Sequence, residues 1–427
     1  MKIKQLSLFV AAFISCKFAM AAPENFQEKV ASGEYIATAG DCAACHTVSG
    51  SAPFTGGLKM VTPVGAIYST NITPDKDTGI GNYSYEDFSR ALRQGIAKDG
   101  HRLYPAMPYT EYAKINDDDM HALYSYLMNE VKPVHQTNRK SDIPWPLNMR
   151  WPLAAWDWAF HDSDVYKPDQ TQSAEWNRGA YLVQGLTHCG TCHTPRGLAY
   201  QEKGFDQHDK RFLSGGQLAG WSAPDLTGNS KTGLGRWSAQ EIAEFLKTGH
   251  TDGNAAFGPM SEAIEKSTQY LTDADLSAIA TYLKSLPSSD APAQASAKAD
   301  STSAALIKGD MSQPGSLLYM NNCSACHRID GKGYTKSFPA LAGNTAVMGD
   351  DPSSLINIVL AGAKTPVTRE SITGLTMPDF AWRLNDQQVA DVVTFIRSSW
   401  GNSASAVNAE EVAKLRKQSV GQPEVKK

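Results

Sequence analysis

Three copies of the pattern Cys-x-x-Cys-His dominate this sequence of 427 residues. Six of the seven cysteines fall in these copies, and the seventh, Cys16, lies near the amino terminus. The copies are Cys42-Ala43-Ala44-Cys45-His46, Cys189-Gly190-Thr191-Cys192-His193 and Cys323-Ser324-Ala325-Cys326-His327. Because the copies are spaced at about the length of a small domain, we expect a chain of three similar units.

The spacing within each motif suits the covalent attachment of haem. Two cysteines at positions i and i+3 of one helical turn face the same side, where each thiol can add across one vinyl group of a haem to form a thioether. The histidine that follows directly can place an imidazole nitrogen on the haem iron. The sequence therefore predicts three covalently bound haem c groups. The predicted attachment residues are Cys42, Cys45, Cys189, Cys192, Cys323 and Cys326, and the predicted iron ligands are His46, His193 and His327.

Two other kinds of site use paired cysteines, and both fit this pattern poorly. A structural zinc ion needs four protein ligands, and apart from Cys16 no cysteine is left over to complete a zinc knuckle. A thioredoxin-like dithiol does not require a histidine directly after its second cysteine, whereas one stands there in all three copies.

A second axial ligand is predicted for each iron. A soft thioether sulfur suits haem iron in an electron carrier, and three methionines lie in similar loops beside a proline that stiffens the backbone. These candidates are Met107, Met260 and Met377. His101 and His250 are alternatives for the first two irons and would give bis-histidine haems. The third iron has no such alternative within its own unit, since His327 is the only histidine after residue 288.

The segments around the motifs also repeat, which supports three similar units. A short first helix with a glycine for close helix contact is predicted at Gly33, Gly179 and Gly315. Capping signals at Ser84 with Asp87, Ser238 with Glu241 and Asp351 with Pro352 predict a middle helix that stops at Gly95, Gly249 and Gly362. A final helix with one apolar face is predicted after the caps Asn116, Thr272 and Asn385.

The amino terminus has the pattern of an export signal. Two lysines precede the apolar run 6–14, and Ala19-Met20-Ala21 then offers a cleavage site. We therefore expect a signal peptide over residues 1–21 and a mature chain on the periplasmic side of the cytoplasmic membrane. A membrane-spanning anchor is an alternative, but the run is short and is interrupted by Lys17. A lipoprotein signal that leaves an acylated Cys16 is a second alternative.

The overall composition fits a soluble, folded protein. Hydrophobic residues make up 41% of the chain and charged residues 20%, and the formal net charge is −4. This charge provides no broad basic field for a polyphosphate partner, so we expect no nucleic acid to bind.

Segments of different composition separate the three units. The predicted division is a first domain over 22–140, a connector rich in tryptophan and proline over 141–172, a second domain over 173–287, a flexible linker over 288–312, a third domain over 313–402 and a polar tail over 403–427. The connector serves either as a strap between the first two domains or as a docking surface for a partner subunit or the membrane. The tail is predicted to form a short polar helix that docks on a partner or frays.

The order of first helix, cysteine motif, loop methionine and aromatic-bearing final helix resembles the class I cytochrome c fold. In the third unit, loop 338–344 is similar to the family's loop whose proline carbonyl supports the haem histidine. The arrangement of three units, with the stretches 68–75, 78–81 and 149–152, resembles the tri-haem cytochrome c subunits of membrane-bound periplasmic dehydrogenases for alcohols, aldehydes, gluconate or sorbitol. The resemblance implies a mainly α fold of three tandem class I cytochrome c domains with long loops.

The same resemblance implies a function in electron transfer. In such complexes a separate flavoprotein or quinoprotein subunit oxidises the substrate, with or without a small third subunit, and the cytochrome passes electrons to ubiquinone in the membrane. Flavins and quinones release two electrons, haem iron takes one at a time, and Met/His ligation raises the haem potential so that this transfer runs downhill. No nucleotide-binding glycine loop, serine elbow or zinc-hydrolase motif is apparent, so the sequence indicates no substrate-oxidising site of its own.

The expected function is therefore the electron-transfer subunit of a dehydrogenase complex. Gluconate 2-dehydrogenase is the first candidate for the complex, and alcohol, sorbitol and aldehyde dehydrogenases are alternatives. A free-standing multi-haem shuttle is a second hypothesis. A haem enzyme, such as a peroxidase or a thiosulfate oxidiser, is a third and would need an open or switchable iron.

Overall fold

The computed structural model describes residues 32–62, 64–218, 220–288 and 300–420. Within these ranges the chain is built mainly of helices, with three short two-stranded antiparallel hairpins. The predicted mainly α fold is thus confirmed. The predicted signal peptide and the candidate lipidation residue Cys16 lie outside the described residues. None of the described helices is both long enough and apolar enough to cross a membrane.

The first unit has a short first helix, an attachment helix that carries the cysteine motif, a hairpin and three further helices. Its elements are α1 (Gly33–Ala39), α2 (Cys42–His46), β1 (Lys59–Thr62), β2 (Gly65–Tyr68), α3 (Tyr85–Gln94), α4 (Tyr109–Tyr112) and α5 (Asp117–Asn129). Thr62 pairs with Gly65 at the turn of the hairpin, and Lys59 pairs with Tyr68 at its open end.

The second unit repeats this order after a connector helix, α6 (Leu153–Phe160). Its first helix runs directly into a π-helical segment, and a 3₁₀ turn precedes its last helix. The elements are α7 (Ala174–Tyr181), the π segment Leu182–Leu186, α8 (Gly190–His193), β3 (Gly216–Leu218), β4 (Trp221–Ala223), α9 (Ala239–Thr248), α10 (Pro259–Lys266), the 3₁₀ turn Thr268–Tyr270 and α11 (Asp273–Ser285).

The third unit has the same core helices and a shorter hairpin. Its elements are α12 (Thr302–Ile307), α13 (Ser316–Asn322), α14 (Ser324–His327), α15 (Thr345–Met348), α16 (Ser353–Ala361), β5 (Ala363–Lys364), β6 (Thr376–Met377) and α17 (Asp386–Ser398), followed by α18 (Ala409–Val420). Here the candidate ligand Met377 lies in the hairpin, where it pairs with Ala363.

The predicted helix ends are found, with one difference. Ser84 and Ser238 close capping boxes at α3 and α9, and the side chains of Asn116, Thr272 and Asn385 cap the final helices. The middle helices end at Gly95, Gly249 and Gly362, all with positive φ. The third middle helix starts at Ser353, one residue later than the predicted cap Asp351 implies. Asp351 accepts a hydrogen bond from the backbone N–H of Ser353 at 2.8 Å, and Pro352 makes no side-chain cap.

In every unit the first helix crosses the final helix at a glycine. A Cβ atom at Gly33 would lie 2.0 Å from the carbonyl oxygen of Ala122, and one at Gly179 would lie 1.9 Å from that of Ala278. At Gly315 the corresponding distance to the carbonyl of Asp391 is 2.2 Å. Any larger residue would force the two helices apart.

One hydrophobic core spans the first two units, and a second core belongs to the third unit. Ile36 and Met120 of the first unit fall in the same buried cluster as Trp176 and Ile279 of the second. The predicted apolar face of the final helices is buried, including Met120, Leu123, Leu276, Ile279, Val389 and Val392. Polar contacts join the third unit to the second: the backbone N–H of Ser222 donates to Ser354 Oγ at 2.9 Å.

The connector packs one side against the chain and exposes the other. On the packed side, the carboxylate of Asp157 is buried, accepts a hydrogen bond from Tyr109 Oη at 2.7 Å and pairs with Arg102. The indole N–H of Trp156 donates to the carbonyl of Ala199 in the second unit at 2.8 Å. On the open side the connector presents exposed apolar side chains, which are Trp145, Leu147, Met149, Trp151 and Trp158. The connector is therefore a strap between the first two units that also leaves a free aromatic face.

The carboxyl-terminal segment forms α18, as the predicted short helix, and it docks on the third unit of its own chain. Val412 and Leu415 lie in the core of the third unit, and Arg416 donates to Asp386 at 2.7 Å and to two backbone carbonyls. The last part of the predicted linker is also ordered into a helix, α12, which buries Leu306. Residues 289–299 of that linker lie outside the described residues.

Candidate haem sites

Each cysteine motif forms one short helix directly after the first helix of its unit. The attachment helices are α2, α8 and α14. The first cysteine of each motif begins or caps its helix, and the second lies within it. All six thiols are half-buried and none of them forms a disulfide. The two sulfurs of each motif are therefore available on one helical turn, as thioether attachment requires.

A backbone carbonyl holds the histidine of every motif. His327 Nδ1 lies 2.9 Å from the carbonyl oxygen of Pro339, which is the contact that the resemblance implied for loop 338–344. His193 Nδ1 lies 2.8 Å from the carbonyl of Pro224, and His46 Nδ1 lies 2.6 Å from that of Thr70. An Nδ1–H that donates to a carbonyl leaves the lone pair on Nε2, so each ring is oriented to bind a metal through Nε2.

The two carbonyl partners in the first and second units were not predicted from the sequence. Thr70 follows β2 and Pro224 follows β4, so each hairpin delivers a carbonyl to its own histidine. The signal that could have found them is the match of Ser69-Thr70-Asn71-Ile72-Thr73 with Ala223-Pro224-Asp225-Leu226-Thr227. A proline marks the position in two units, but any residue supplies a carbonyl, so Thr70 carries no mark of its own.

Burial sets the protonation state of these histidines. Desolvation lowers the pKa of His46, His193 and His327, although the hydrogen bond to the carbonyl acts in the opposite direction. The imidazoles are therefore neutral near pH 7, which is the form that ligates a metal.

Burial also determines what the cysteines can do. Desolvation raises the thiol pKa to about 12 for Cys42, Cys192 and Cys323, and to about 11 for Cys45. A redox-active dithiol needs a thiol whose pKa is lowered. These four thiols thus lack the property of a thioredoxin-like site, whereas a thioether places no charge on the sulfur.

Two candidate methionines pack against the same core as a cysteine of their own unit. Met107 and Cys42 both pack, partly buried, against the core of the first two units. Met377 and Cys323 both pack against the core of the third unit. The structure therefore brings a thioether and an attachment cysteine to the same core in both units.

The third candidate, Met260, is half-buried in the first turn of α10. Two residues earlier, Gly258 lies against the ring of Trp221, which a Cβ at that glycine would approach to 2.9 Å. Trp221 begins β4, and β4 leads directly to the Pro224 carbonyl that holds His193. The segment that carries Met260 therefore packs against β4, the strand that leads to the carbonyl partner of His193.

The competing histidines differ in their surroundings. His101 is exposed, and its Nδ1 lies 2.5 Å from the carboxylate of Asp99. His250 is only 4% exposed, and its Nε2 has no hydrogen-bond partner. His250 therefore stays the competing ligand for the second iron, while His101 faces solvent.

The donor set fits haem c. Each motif offers two half-buried thiols and one neutral imidazole with a fixed ring orientation, and each unit adds a methionine. Within the described part of the chain, no three His, Cys, Asp or Glu side chains converge into a metal site of their own. The arrangement can hold an iron porphyrin through two thioethers and an imidazole, which is the ligation that suits electron transfer.

The first two sites are built against each other. Tyr112 of α4, the helix that follows Met107, packs edge-to-face on His188 of the second unit, with ring centroids 5.6 Å apart. In return, α10 packs against α2, and Ser267 after α10 donates to the carbonyl of Ala39 at 3.2 Å. In the first two units, the segment that carries or follows the candidate methionine therefore packs against the other unit, close to its attachment helix.

Comparisons with known proteins agree with this geometry. The sequence profile of the cytochrome c family matches residues 30–130, 177–287 and 312–400. The chain is 52% identical to the gluconate 2-dehydrogenase cytochrome c subunit of Pantoea cypripedii over 90% of this chain and 89% of that protein. It is 47% identical to the cytochrome c subunit of the quinone alcohol dehydrogenase of Gluconobacter oxydans, over 90% and 81%. It is 40% identical to the fructose dehydrogenase cytochrome subunit of Gluconobacter japonicus, over 91% and 82%.

Replacement of the second candidate methionine tests its assignment. Met260→Ala is expected to lower one of the haem midpoint potentials, because loss of the thioether removes a ligand that favours ferrous iron. The expected shift is on the order of a tenth of a volt, a part of the roughly 0.8 V over which axial ligands tune haem. Potentiometric titration of the holoprotein measures it. His250→Ala is the matched control: if that variant shifts the potential and Met260→Ala does not, the assignment to Met260 is wrong.

Proposed function

The chain belongs to the cytochrome c family, and we propose that it is the electron-transfer subunit of a periplasmic dehydrogenase complex, with gluconate 2-dehydrogenase as the first candidate. The observation that carries the proposal is the 52% identity to a gluconate 2-dehydrogenase cytochrome c subunit over 90% of the chain. The similarity covers all three cytochrome c regions, so it extends to the arrangement of the units as well as to the fold.

Covalently bound haem c is the cofactor of this family, and we propose three copies in this chain. The six motif cysteines would form the thioethers, His46, His193 and His327 would bind the irons on one side, and Met107, Met260 and Met377 on the other. The group supplies reversible one-electron chemistry when bound. The residues of the chain fix the imidazole rings through Thr70, Pro224 and Pro339 and surround the attachment sulfurs with a desolvated core.

The packing of the units supports a relay. The first two attachment helices lie in one body with a shared core, and the ligand loop of each contacts the other unit. The third unit has its own core, and a hydrogen bond between β4 and α16 joins it to the second unit. Electrons would enter from a flavoprotein or quinoprotein subunit in pairs, pass singly along the three sites and leave to ubiquinone in the membrane.

Alternative complexes follow from the other relatives. The relatives from Gluconobacter oxydans and Gluconobacter japonicus are named as subunits of an alcohol dehydrogenase and a fructose dehydrogenase. The substrate is a property of the catalytic subunit, which is a separate chain in this proposal. The cytochrome subunit of an alcohol dehydrogenase is therefore the second candidate.

Purification of the complex tests the proposed function. A full chain with an affinity tag, extracted from the native membranes in detergent, is expected to bring down a flavoprotein or quinoprotein chain. Added gluconate should then reduce the haems, as seen in the visible spectrum, and a ubiquinone analogue should reoxidise them. Reduction by ethanol or fructose and not by gluconate would assign another complex. Recovery of the chain alone, reduced by none of the three, would contradict the subunit proposal and favour a free shuttle.

The open side of the connector is the surface that we assign to the membrane. Trp145, Trp151 and Trp158 are 78%, 74% and 89% exposed, and the exposed Leu198 lies next to the Ala199 carbonyl that Trp156 binds. Indole rings combine a large apolar surface with a polar N–H and are favoured at the membrane–water interface. A peripheral contact of this kind would hold the chain beside the quinone pool.

Replacement of these three tryptophans tests the contact. The triple variant Trp145→Ser, Trp151→Ser, Trp158→Ser is expected to bind vesicles of phosphatidylglycerol and phosphatidylethanolamine roughly tenfold or more weakly, since about 1.4 kcal/mol of lost apolar burial already gives that factor. Flotation of the mature holoprotein measures binding. Trp382→Ser, at a position 77% exposed in the third unit, is the control and should bind as the parent does. Unchanged vesicle binding by the triple variant would contradict the assignment.

A further inference from the structure

Two glutamates are buried together where the first and second units meet. Glu111 of α4 is 2% exposed and Glu202 of the second unit is 5% exposed. Both carboxyl groups lie against the two residues between Cys189 and Cys192, and the charge of Glu111 acts on Glu202. Buried carboxylates are costly unless they are paired with cations or protonated, so a pair of them in one place calls for an explanation.

The pair lies directly behind the attachment helix of the second site. Thr191 Oγ1, between the two cysteines of that motif, donates to Glu111 Oε1 at 3.2 Å. A Cβ placed on Gly190, the other residue between those cysteines, would come within 2.9 Å of Glu202 Oε2. Glu111 also stands four residues after the candidate ligand Met107. The carboxyl pair thus lies between the segment that follows Met107 and the attachment helix of the second site.

The charges around the pair do not satisfy it fully. Arg196 pairs with Glu202 Oε1 at 3.1 Å and also donates to the carbonyl of Thr191 at 2.7 Å. Thr110 Oγ1 donates to Glu111 Oε2 at 2.5 Å. Glu202 Oε2 is buried and has no hydrogen-bond partner. A proton on one carboxyl would supply the missing donor between the two groups.

The other titratable neighbours leave room for this proton. Lys114 donates to Gln184 Oε1 and to the Phe205 carbonyl, and its pKa is lowered by burial, against the attraction of Asp206, Glu111, Glu202 and Asp162. His188 also faces Glu111, and burial lowers its pKa, so it is neutral near pH 7. Cys189 and Cys192 face the pair from the attachment helix and would be thioethers. Among the residues that the structure describes, only Arg196 places a permanent positive charge in direct contact with the two glutamates.

The two carboxyl groups cannot both ionise easily. The pKa of Glu202 is raised well above its usual range, first by desolvation and then by the negative charge of Glu111. When two carboxyl groups share a desolvated site, one of them keeps its proton to a higher pH than an isolated carboxyl group would, because its negative charge is repelled by that of the other.

Solvent reaches the pair from one side. Glu202 lines a surface cavity of about 550 Å³, together with His161, Asp162, Lys203, Asp206 and Asp209. These polar side chains offer a route for protons between bulk water and the buried carboxyl group. The opposite side of the pair is closed by the attachment helix.

We propose that Glu111 and Glu202 form a buried proton-binding site that takes up one proton from solvent when the second haem site accepts an electron, and releases it when that electron leaves. The proton forms an O–H bond on one carboxylate oxygen. The electron, supplied by the dehydrogenase partner or by a chemical reductant, converts ferric to ferrous iron. One positive and one negative charge thus enter together, and the net charge of the buried region stays constant.

The direction of the coupling follows from linkage. An added electron makes the region more negative and so favours the protonated pair, and by reciprocity a bound proton favours the reduced state. The midpoint potential of the second haem therefore falls as the pH rises through the range in which the pair titrates. Where uptake is complete, the reduction equilibrium changes tenfold per pH unit, which corresponds to about 59 mV for one electron.

The experiment is potentiometric titration of the full holoprotein between about pH 5 and 9, a range that brackets shifted buried carboxyl groups. One midpoint potential should fall with pH, and Glu202→Gln and Glu111→Gln should each remove most of that slope. Glu175→Gln, on an exposed glutamate of the second unit, is the control and should keep it. Three pH-independent potentials in the parent protein, or the parental slope in both Gln variants, would overturn the proposal.

A second measurement keeps the test valid if a variant fails to fold. Redox-difference infrared spectra of the unsubstituted holoprotein should show a protonated carboxyl band that appears on reduction, and its absence would also overturn the proposal. The inference rests on the proposed function only through haem at the second site. A chain without covalent haem at Cys189 and Cys192 would defeat the proposed function, whereas a haem-loaded chain without pH dependence would defeat this inference alone.

Discussion

The backbone contact between the first and the final helix of each unit is the constraint on which the rest of the structure depends. The glycines at 33, 179 and 315 let the first helix approach the carbonyls of the final helix at distances that no side chain permits. Each attachment helix follows soon after the first helix of its unit, so this crossing determines where the first cysteine of each motif is placed. The hairpin or loop that follows then needs to deliver only one backbone carbonyl to orient the histidine.

The three units pack differently along the chain: the first two share a core, and the third has a core of its own. Helix α4 of the first unit also contacts the attachment helix α8 of the second, and α10 of the second unit contacts α2 of the first. This reciprocal packing buries Glu111 and Glu202 beside the attachment helix of the second unit. The third unit keeps a core of its own, completed by α18, and meets the second through hydrogen bonds.

Features that depend on local sequence were predictable, and several of those that depend on contacts between distant segments were not. Ser84, Ser238 and Asn385 act within one turn, so their caps could be inferred from spacing alone. The role of Thr70 could not, because every residue has a carbonyl and only the fold decides which one meets a histidine. Glu111 and Thr191 stand 80 positions apart in the chain, and no spacing pattern connects them. The helix α12 was not predicted, because the composition of its segment is typical of a flexible linker.

The central claim is that iron porphyrin is bonded covalently to all three cysteine motifs. The most direct measurement is to denature the purified chain, extract it with acidified acetone, and then quantify the haem that stays on the polypeptide and locate it by mass spectrometry of proteolytic peptides. The account predicts three haems per chain, one on each peptide that contains a Cys-x-x-Cys-His motif. Release of the colour into the solvent, or a motif peptide with two free thiols, would contradict it.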